Sequence, residues 1–85
     1  MEIENLKFDE NGLIPAIIQD AETRTVLMLG YMNREALTLT LTNGKVCFFS
    51  RSRQKLWTKG EESGHVLYLK DIHAACDGDT VWVKA

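Results

Sequence analysis

The residues best suited to chemistry lie in one basic stretch, residues 50–65. Four of the chain's ten Lys and Arg residues fall within nine positions of it: Arg51, Arg53, Lys55 and Lys59. Guanidinium and ammonium groups bind phosphate oxygens, and the stretch adds hydroxyl groups and two glycines. Trp57 adds a flat ring on which a base can stack. The stretch predicts a site for a phosphorylated ligand, and the alternative is a solvated charged loop.

A second group of polar residues combines a thiol with two carboxylates in residues 76–79, namely Cys76, Asp77 and Asp79. A thiolate suits Zn²⁺ and carboxylates suit Mg²⁺. Asp-Gly-Asp between two strands is also an ordinary hairpin turn. A complete zinc site takes three or four protein ligands. His65 and His73 could add to the set, although a lone strand histidine is more often a hydrogen-bonded surface residue.

Length and charge limit the classes of protein that fit. A chain of 85 residues makes one domain, 1–85, and buries only about 60–65% of its unfolded surface, so a metal or partner subunit would help it. Hydrophobic content of 45% and charged content of 26% are typical of a globular protein. The net charge of −2 argues against nucleic acid or an anionic membrane as a partner.

The two cysteines and the opening residues indicate the compartment. Residues 1–11 are acidic and polar, unlike a secretion signal, and no apolar run is long enough to span a membrane. We therefore expect a cytoplasmic protein with reduced thiols. Cys47 is interpreted as a small core residue without chemistry. A disulfide between Cys47 and Cys76 is the alternative.

Two apolar runs, residues 13–20 and 25–31, are joined by a short, mostly polar segment, residues 21–24, and predict a β-hairpin. Pro15 suggests an edge position or a strand that begins just after it. The second run is continuously apolar, which predicts burial on both faces.

The next segment carries conflicting signals. Asn33 is a good N-cap and Gly44 a good C-terminal stop, and Ala36, Leu37 and Leu41 fall on one helical face. The alternation of Leu and Thr over residues 37–42 instead has the period of a strand. The cap and the stop favour a helix with its threonines on the outer face.

The rest of the chain predicts three strands, at residues 45–49, 65–73 and 80–84. Residues 50–65 show no apolar period and are expected to be a loop. The predicted fold class is α+β, a small and mostly antiparallel β-sheet domain with one main helix.

Four segments in this order resemble the phosphoribosyl-AMP cyclohydrolase family of histidine biosynthesis: residues 12–20, 26–37, 49–65 and 76–79. The resemblance covers essentially the whole chain. It implies that substrate is bound by Arg51, Ser52, Arg53, Trp57, Lys59, Gly60, Ser63, Gly64 and His65. No residue is assigned as the catalytic base.

The resemblance also implies a reaction and its cofactors. The family hydrolyses the N1–C6 bond of the adenine ring in phosphoribosyl-AMP. Zinc would lower the pKa of water from about 15.7 to about 7 and so provide hydroxide. Cys76 is then the expected zinc ligand, and Asp77 and Asp79 are expected to bind magnesium. A homodimer that shares its zinc thiolates is implied, as is a phosphoribosyl-ATP pyrophosphatase domain fused to it or working beside it.

The sequence departs from the family pattern at two places. Ala75 stands where the family has an aspartate before the cysteine, so a magnesium carboxylate is missing. The family pattern continues into a Cys-His-Thr-Gly segment, and this sequence ends at Ala85. We therefore expect a domain truncated at its C-terminal end and an inactive 85-residue chain. The alternatives are a non-catalytic module that binds a nucleotide or phosphorylated metabolite, and a dimerisation domain.

Overall fold

The computed structural model describes residues 2–85 as a four-stranded sheet, a separate two-stranded hairpin and one α-helix. The elements in chain order are a 3₁₀ turn at Ile3–Asn5, β1 at Ile14–Gln19, β2 at Val26–Met32, α1 at Arg34–Asn43, β3 at Cys47–Ser50, β4 at Lys55–Thr58, β5 at Asp71–Ala74 and β6 at Val81–Lys84. The main sheet has the order β2-β1-β6-β5, and only the β1–β6 pair is parallel. The predicted α+β class is confirmed.

The core lies on one face of the main sheet. Ile14, Ala16 and Ile18 alternate along β1 and are fully buried, as are Val81 and Val83 of β6. Period-2 alternation of this kind is expected for a sheet with one covered face. The predicted first strand and last strand are therefore confirmed.

Pro15 lies at the second position of β1. There β1 pairs only with β2, because its pairing with β6 begins at Ala16. A strand tolerates proline where one of its sides has no partner. Both predictions for Pro15 are therefore wrong, because β1 begins at Ile14, before the proline, and is an inner strand of the sheet.

The predicted hairpin of the first two strands is confirmed, but the predicted burial of the second strand is wrong. β2 is one of the two edge strands of the sheet. Val26 is 63% exposed and Leu29 is 54% exposed. A continuous apolar run is buried on both faces only where other elements cover both. Here the core covers one face of β2, and the other face is exposed.

The predicted helix and both of its ends are confirmed. The Asn33 side chain accepts a hydrogen bond of 2.8 Å from the Ala36 N–H, and Gly44 ends the helix at a φ of 75°. Two details of its faces are wrong. Thr40 is fully buried, whereas Leu41 is exposed. The Thr40 hydroxyl is buried because it accepts a 3.0 Å hydrogen bond from the backbone N–H of Cys47 and donates one to the Ala36 carbonyl.

The hairpin of β3 and β4 packs on the main sheet through Phe48. Its ring lies directly against Gly30 of β2, where an added Cβ would come within 2.5 Å of a ring carbon. Trp57 of β4 packs next to Phe48, and the centroids of the two rings are 5.0 Å apart. Gly30 therefore sets the distance at which the hairpin crosses the sheet.

Two predictions for residues 50–73 are wrong. The expected loop contains β4, and the expected long strand is regular only over β5. Residues 65–70 are instead held by bonds to the segment after α1. The Leu67 carbonyl accepts from the Val46 N–H at 2.9 Å, and the Leu69 N–H donates to the Gly44 carbonyl at 2.8 Å. These contacts replace a strand ladder.

Both cysteines are free thiols, so the alternative disulfide does not form. Cys47 is buried in the core, as predicted, and Cys76 is exposed. Within residues 2–85, no helix is long and apolar enough to cross a bilayer.

Candidate functional site

The basic stretch is built on the β3–β4 hairpin. Its two strands pair from Cys47 with Thr58 to Ser50 with Lys55, and residues 51–54 form the turn. The Gln54 N–H donates to the Ser50 carbonyl at 2.8 Å, and the Arg53 N–H donates to the Ser50 hydroxyl at 3.2 Å. These bonds fix the backbone that carries the basic side chains.

A tight loop follows β4. The Glu61 N–H donates to the Thr58 carbonyl at 3.1 Å, and the Gly64 N–H donates to the Gly60 carbonyl at 2.7 Å. Gly60 has a φ of 88°, and an added Cβ would collide with the backbone of His65. Only glycine satisfies both conditions, so the loop bends back beside β4.

The hairpin and this loop enclose a cavity of about 450 Å³, within the usual range for a small-molecule site. It is lined by Ser50, Ser52, Arg53, Lys55, Trp57, Thr58, Lys59, Gly60, Glu61, Glu62 and Ser63. We call it the hairpin cavity.

The hairpin cavity brings together six of the nine residues predicted to bind substrate: Ser52, Arg53, Trp57, Lys59, Gly60 and Ser63. Arg51, Gly64 and His65 do not line it. Ser50, Lys55, Thr58, Glu61 and Glu62 also line it but were not among the predicted binding residues. Lys55 could have been included because it belongs to the same basic cluster. No feature of the sequence indicated the two glutamates as binding residues, because carboxylates do not bind a phosphate.

Arg51 makes a different contact. Its guanidinium lies 3.9 Å from the centroid of the Tyr31 ring of β2. A guanidinium stacks well on an aromatic face. This contact ties the hairpin turn to the edge strand of the main sheet.

The charged groups of the hairpin cavity are not paired with one another. Arg53, Lys55 and Lys59 provide three positive charges against the two carboxylates of Glu61 and Glu62. Within residues 2–85, the only ion pair joins His73 to Asp71 at 2.8 Å, on β5. Cations without protein partners are available to an anionic ligand. Trp57 is half-buried and presents its ring to the same space.

The predicted metal residues lie elsewhere, in the turn between β5 and β6. Cys76, Asp77 and Asp79 are all exposed, and none lines the hairpin cavity. The turn is held by the Gly78 carbonyl, which accepts from the Lys7 N–H at 2.7 Å.

The donor set of this turn does not fit a complete metal site. No group of three His, Cys, Asp or Glu among residues 2–85 is arranged to hold a metal ion. The other thiol, Cys47, is buried, and burial raises its pKa, which keeps it protonated. A structural or catalytic zinc ion needs at least three protein ligands. The described residues therefore do not complete a zinc site around Cys76.

Comparison with known proteins identifies the family. The model of the phosphoribosyl-AMP cyclohydrolase family matches residues 28–85. A phosphoribosyl-AMP cyclohydrolase of Chlorobium limicola is 56% identical over 82 residues, which are 96% of this chain and 60% of that protein. The histidine biosynthesis bifunctional protein HisIE of Staphylococcus aureus is 59% identical over 80 residues, 93% of this chain and 38% of that protein. The protein of the same name in Bacteroides thetaiotaomicron is 60% identical over 81 residues, 94% of this chain and 40% of that protein.

The fold and the hairpin cavity define a small α+β domain with an open cavity lined by three cationic side chains. The family match includes every residue of that cavity. The chain belongs to the phosphoribosyl-AMP cyclohydrolase family. It spans between 38% and 60% of the length of these curated relatives.

Proposed function

We propose that the protein to which this chain belongs hydrolyses the N1–C6 bond of the adenine ring in phosphoribosyl-AMP, a step of histidine biosynthesis. The observation that carries this proposal is the hairpin cavity, which lies wholly inside the segment matched by the family. It combines unpaired cations with an aromatic ring, and these suit the phosphates and the purine of a nucleotide.

Different residues of the hairpin cavity bind different parts of the substrate. Arg53, Lys55 and Lys59 bind the phosphate monoesters, because each donates charged hydrogen bonds. Trp57 packs on the purine ring. The carboxylates of Glu61 and Glu62 accept hydrogen bonds from ribose hydroxyls. The N1-ribosylated ring is electron-poor, so C6 is the atom open to attack by water once the substrate is held.

We assign two metals to the whole protein. Cys76 is the exposed thiol of this chain that could ligate zinc, and a bound zinc ion would lower the pKa of water at the site. Asp77 and Asp79 are the carboxylates for magnesium, with Ala75 in place of a third. The described residues of one copy do not supply the remaining zinc ligands.

A homodimer is a separate part of the proposal, and β2 offers the surface for it. β2 carries no charged residue, and its exposed Val26, Leu27 and Leu29 lie on an edge strand of the sheet. Protein chains normally protect such an edge with charge or cover it. Two copies that pair through β2 would extend the sheet and bury these side chains.

The dimer can be tested with two exposed leucines. Leu29→Lys places a charge on β2, and Leu41→Lys places the same charge on α1 as a matched control. Sedimentation equilibrium at micromolar concentration is expected to give a dimer mass for the parent chain and for Leu41→Lys, and a monomer mass for Leu29→Lys. A dimer in all three, or a monomer in all three, would contradict pairing through β2.

The protein is expected to work in the cytoplasm beside, or fused to, a phosphoribosyl-ATP pyrophosphatase domain. Its relatives in Staphylococcus aureus and Bacteroides thetaiotaomicron are named as bifunctional proteins of histidine biosynthesis, which supports a second domain.

Ring opening of phosphoribosyl-AMP, followed by absorbance in the complete protein, tests the activity. Lys59→Ala is expected to reduce kcat/KM by about tenfold or more, as for a lost charged hydrogen bond, and Lys45→Ala, outside the hairpin cavity, to leave it unchanged. Absence of ring opening in the metal-loaded parent would overturn the proposal. If the parent still binds AMP in that case, the second candidate, a non-catalytic nucleotide-binding module, would stand, and the incomplete metal set favours it.

A further inference from the structure

A second cavity lies at the end of the main sheet, away from the hairpin cavity. It measures about 390 Å³ and is lined by Gln19, Asp20, Ala21, Arg24, Trp82 and Lys84. None of these residues lines the hairpin cavity. Its wall combines the end of β1, the turn before β2 and the outer face of β6. We call it the strand-end cavity.

Trp82 is held in a fixed orientation in this wall although it is 40% exposed. Its indole N–H donates to the Gln19 side-chain oxygen at 2.8 Å. The Gln19 amide nitrogen donates in turn to the Arg24 carbonyl at 2.8 Å. This chain of bonds also fixes the turn at Arg24, which has a φ of 65°. An exposed aromatic ring that is already ordered costs little entropy when a ligand packs against it.

Two cations stand beside this indole. The Lys84 ammonium lies 4.4 Å from the Trp82 ring centroid, and Arg24 lines the same cavity. Neither forms an ion pair within residues 2–85. The Asp20 carboxylate is also in the wall, but it already accepts the N–H groups of Glu22 and Thr23 at 2.9 and 2.8 Å. The side chains that line the cavity therefore carry a net charge of +1, and those of Lys84 and Arg24 are free to donate hydrogen bonds.

We propose that the strand-end cavity is a second ligand site, for a small anion carried on a planar ring, such as a nucleoside monophosphate or an aromatic carboxylate. The anion pairs with Lys84 and Arg24. The Lys84 ammonium lies over the Trp82 ring, so an anion that draws it aside uncovers this face for the attached ring. A nucleoside monophosphate and an aromatic carboxylate share this chemistry, and they differ in the charge and shape of the anion. The site is independent of the proposed hydrolysis.

The chain offers a direct probe, because it has only two tryptophans and each lines a different cavity. In Trp57→Phe the remaining indole is Trp82, so its emission reports the strand-end cavity alone. AMP and benzoate are titrated into this variant, with inorganic phosphate as an anion that lacks a ring. We expect a saturable emission change with AMP or benzoate at lower concentration than with phosphate. The ligand that saturates first identifies the anion.

Charge variants in the Trp57→Phe background locate the response. Lys84→Gln and Arg24→Gln are each expected to weaken binding by about tenfold or more, as for a lost charged hydrogen bond. Lys7→Gln, an exposed lysine outside both cavities, is the matched control and should leave the affinity unchanged.

Three results would overturn the proposal. The first is no saturable change with either ring compound at millimolar concentration. The second is phosphate binding as tight as the better ring compound, which would exclude the contact with Trp82. The third is equal affinity in Lys84→Gln and Lys7→Gln. Binding of AMP in the hairpin cavity is followed separately through Trp57 in a Trp82→Phe variant.

Discussion

The Arg51 guanidinium lies 3.9 Å from the centroid of the Tyr31 ring, so the tip of the β3–β4 hairpin is fastened to the edge strand of the main sheet. The hairpin also packs on the sheet at its base, where Phe48 meets Gly30. Contacts at both ends of the β3–β4 hairpin therefore fix the position of the hairpin cavity. Arg51 acts in this arrangement as a positioning residue, and it does not line the cavity.

This contact predicts different effects for two arginines of the same turn. Arg51→Ala should lower the free energy of unfolding by about 0.5–1 kcal/mol, the usual value of an exposed cation–π contact. Arg53→Ala should leave stability unchanged but weaken AMP binding by about 1.5–3 kcal/mol, as for a charged hydrogen bond. Urea denaturation and titration calorimetry measure the two quantities. Equal losses of AMP affinity in both variants would show that Arg51 contacts the ligand directly.

Local signals in the sequence predicted most of the fold. Asn33 and Gly44 marked both ends of α1 against a competing period-2 pattern. Each of these residues acts through its own backbone geometry or its nearest hydrogen bonds. Such effects do not depend on where distant parts of the chain lie.

Predictions that depended on distant contacts failed. The apolar run of β2 did not show that no element covers its outer face, and the burial of Thr40 follows from a bond to Cys47. Leu67 and Leu69 bond to Val46 and Gly44 instead of forming part of a regular strand. In the site, composition identified the basic cluster but not the orientation of Arg51, which Tyr31 determines. Side-chain direction in a turn depends on the surface next to it.

The buried hydroxyl of Thr40 gives the second prediction. Thr40→Val keeps the shape of the side chain but leaves the buried N–H of Cys47 without its 3.0 Å acceptor. An unsatisfied buried donor costs about 1–3 kcal/mol. Thr38→Val is the matched control, because Thr38 lies on the same helix but is exposed, and it should change stability by less than about 0.5 kcal/mol. Urea denaturation of both variants that gave equal midpoints would refute the role of this bond.

The close approach of Gly30 and Phe48 gives the third prediction. Gly30→Ala would bring a methyl group within 2.5 Å of the Phe48 ring. Overpacking of this kind costs about 1–3 kcal/mol. Phe48→Leu alone should also be destabilising, because it leaves a gap. The double variant should be more stable than the sum of the two losses predicts, since the smaller side chain admits the methyl group. Strict additivity in urea denaturation would argue against the contact.

The carboxylate of Asp71 gives a prediction for pH. Its hydrogen bond with His73 at 2.8 Å, and then the Ile72 N–H, lower its pKa below the ordinary value of 3.8. The folded state thus favours the ionised form, and its stabilising effect is present above pH 3.8 and is lost as the pH falls through the lowered pKa. Asp71→Asn should therefore be less stable than the parent near neutral pH, and the two should converge in acid.

A matched variant for this measurement is Asp77→Asn, since the Asp77 carboxylate accepts no hydrogen bond from residues 2–85. Its urea midpoint should follow that of the parent at every pH. A difference between Asp71→Asn and the parent that persists unchanged in acid would contradict the assignment.

The last prediction concerns zinc. The 85-residue chain should bind zinc only weakly, because residues 2–85 contain no arrangement of three metal-binding side chains. Cys47 is no substitute, since burial raises the pKa of its thiol and shields it. Zinc affinity falls with each thiolate removed from a site, so an ion held at Cys76 should be lost to a chelator. Metal analysis after dialysis against a chelator measures this directly.

Thiol reactivity provides the control for the zinc measurement. Cys76 should react quickly with a thiol reagent in the folded chain, and Cys47 only after unfolding. Zinc at saturating concentration should slow the reaction of Cys76, and a chelator should restore it at once. Cys76→Ser should abolish the remaining zinc affinity, whereas Cys47→Ala should not affect it. Stoichiometric zinc that survives the chelator would contradict the prediction of weak binding.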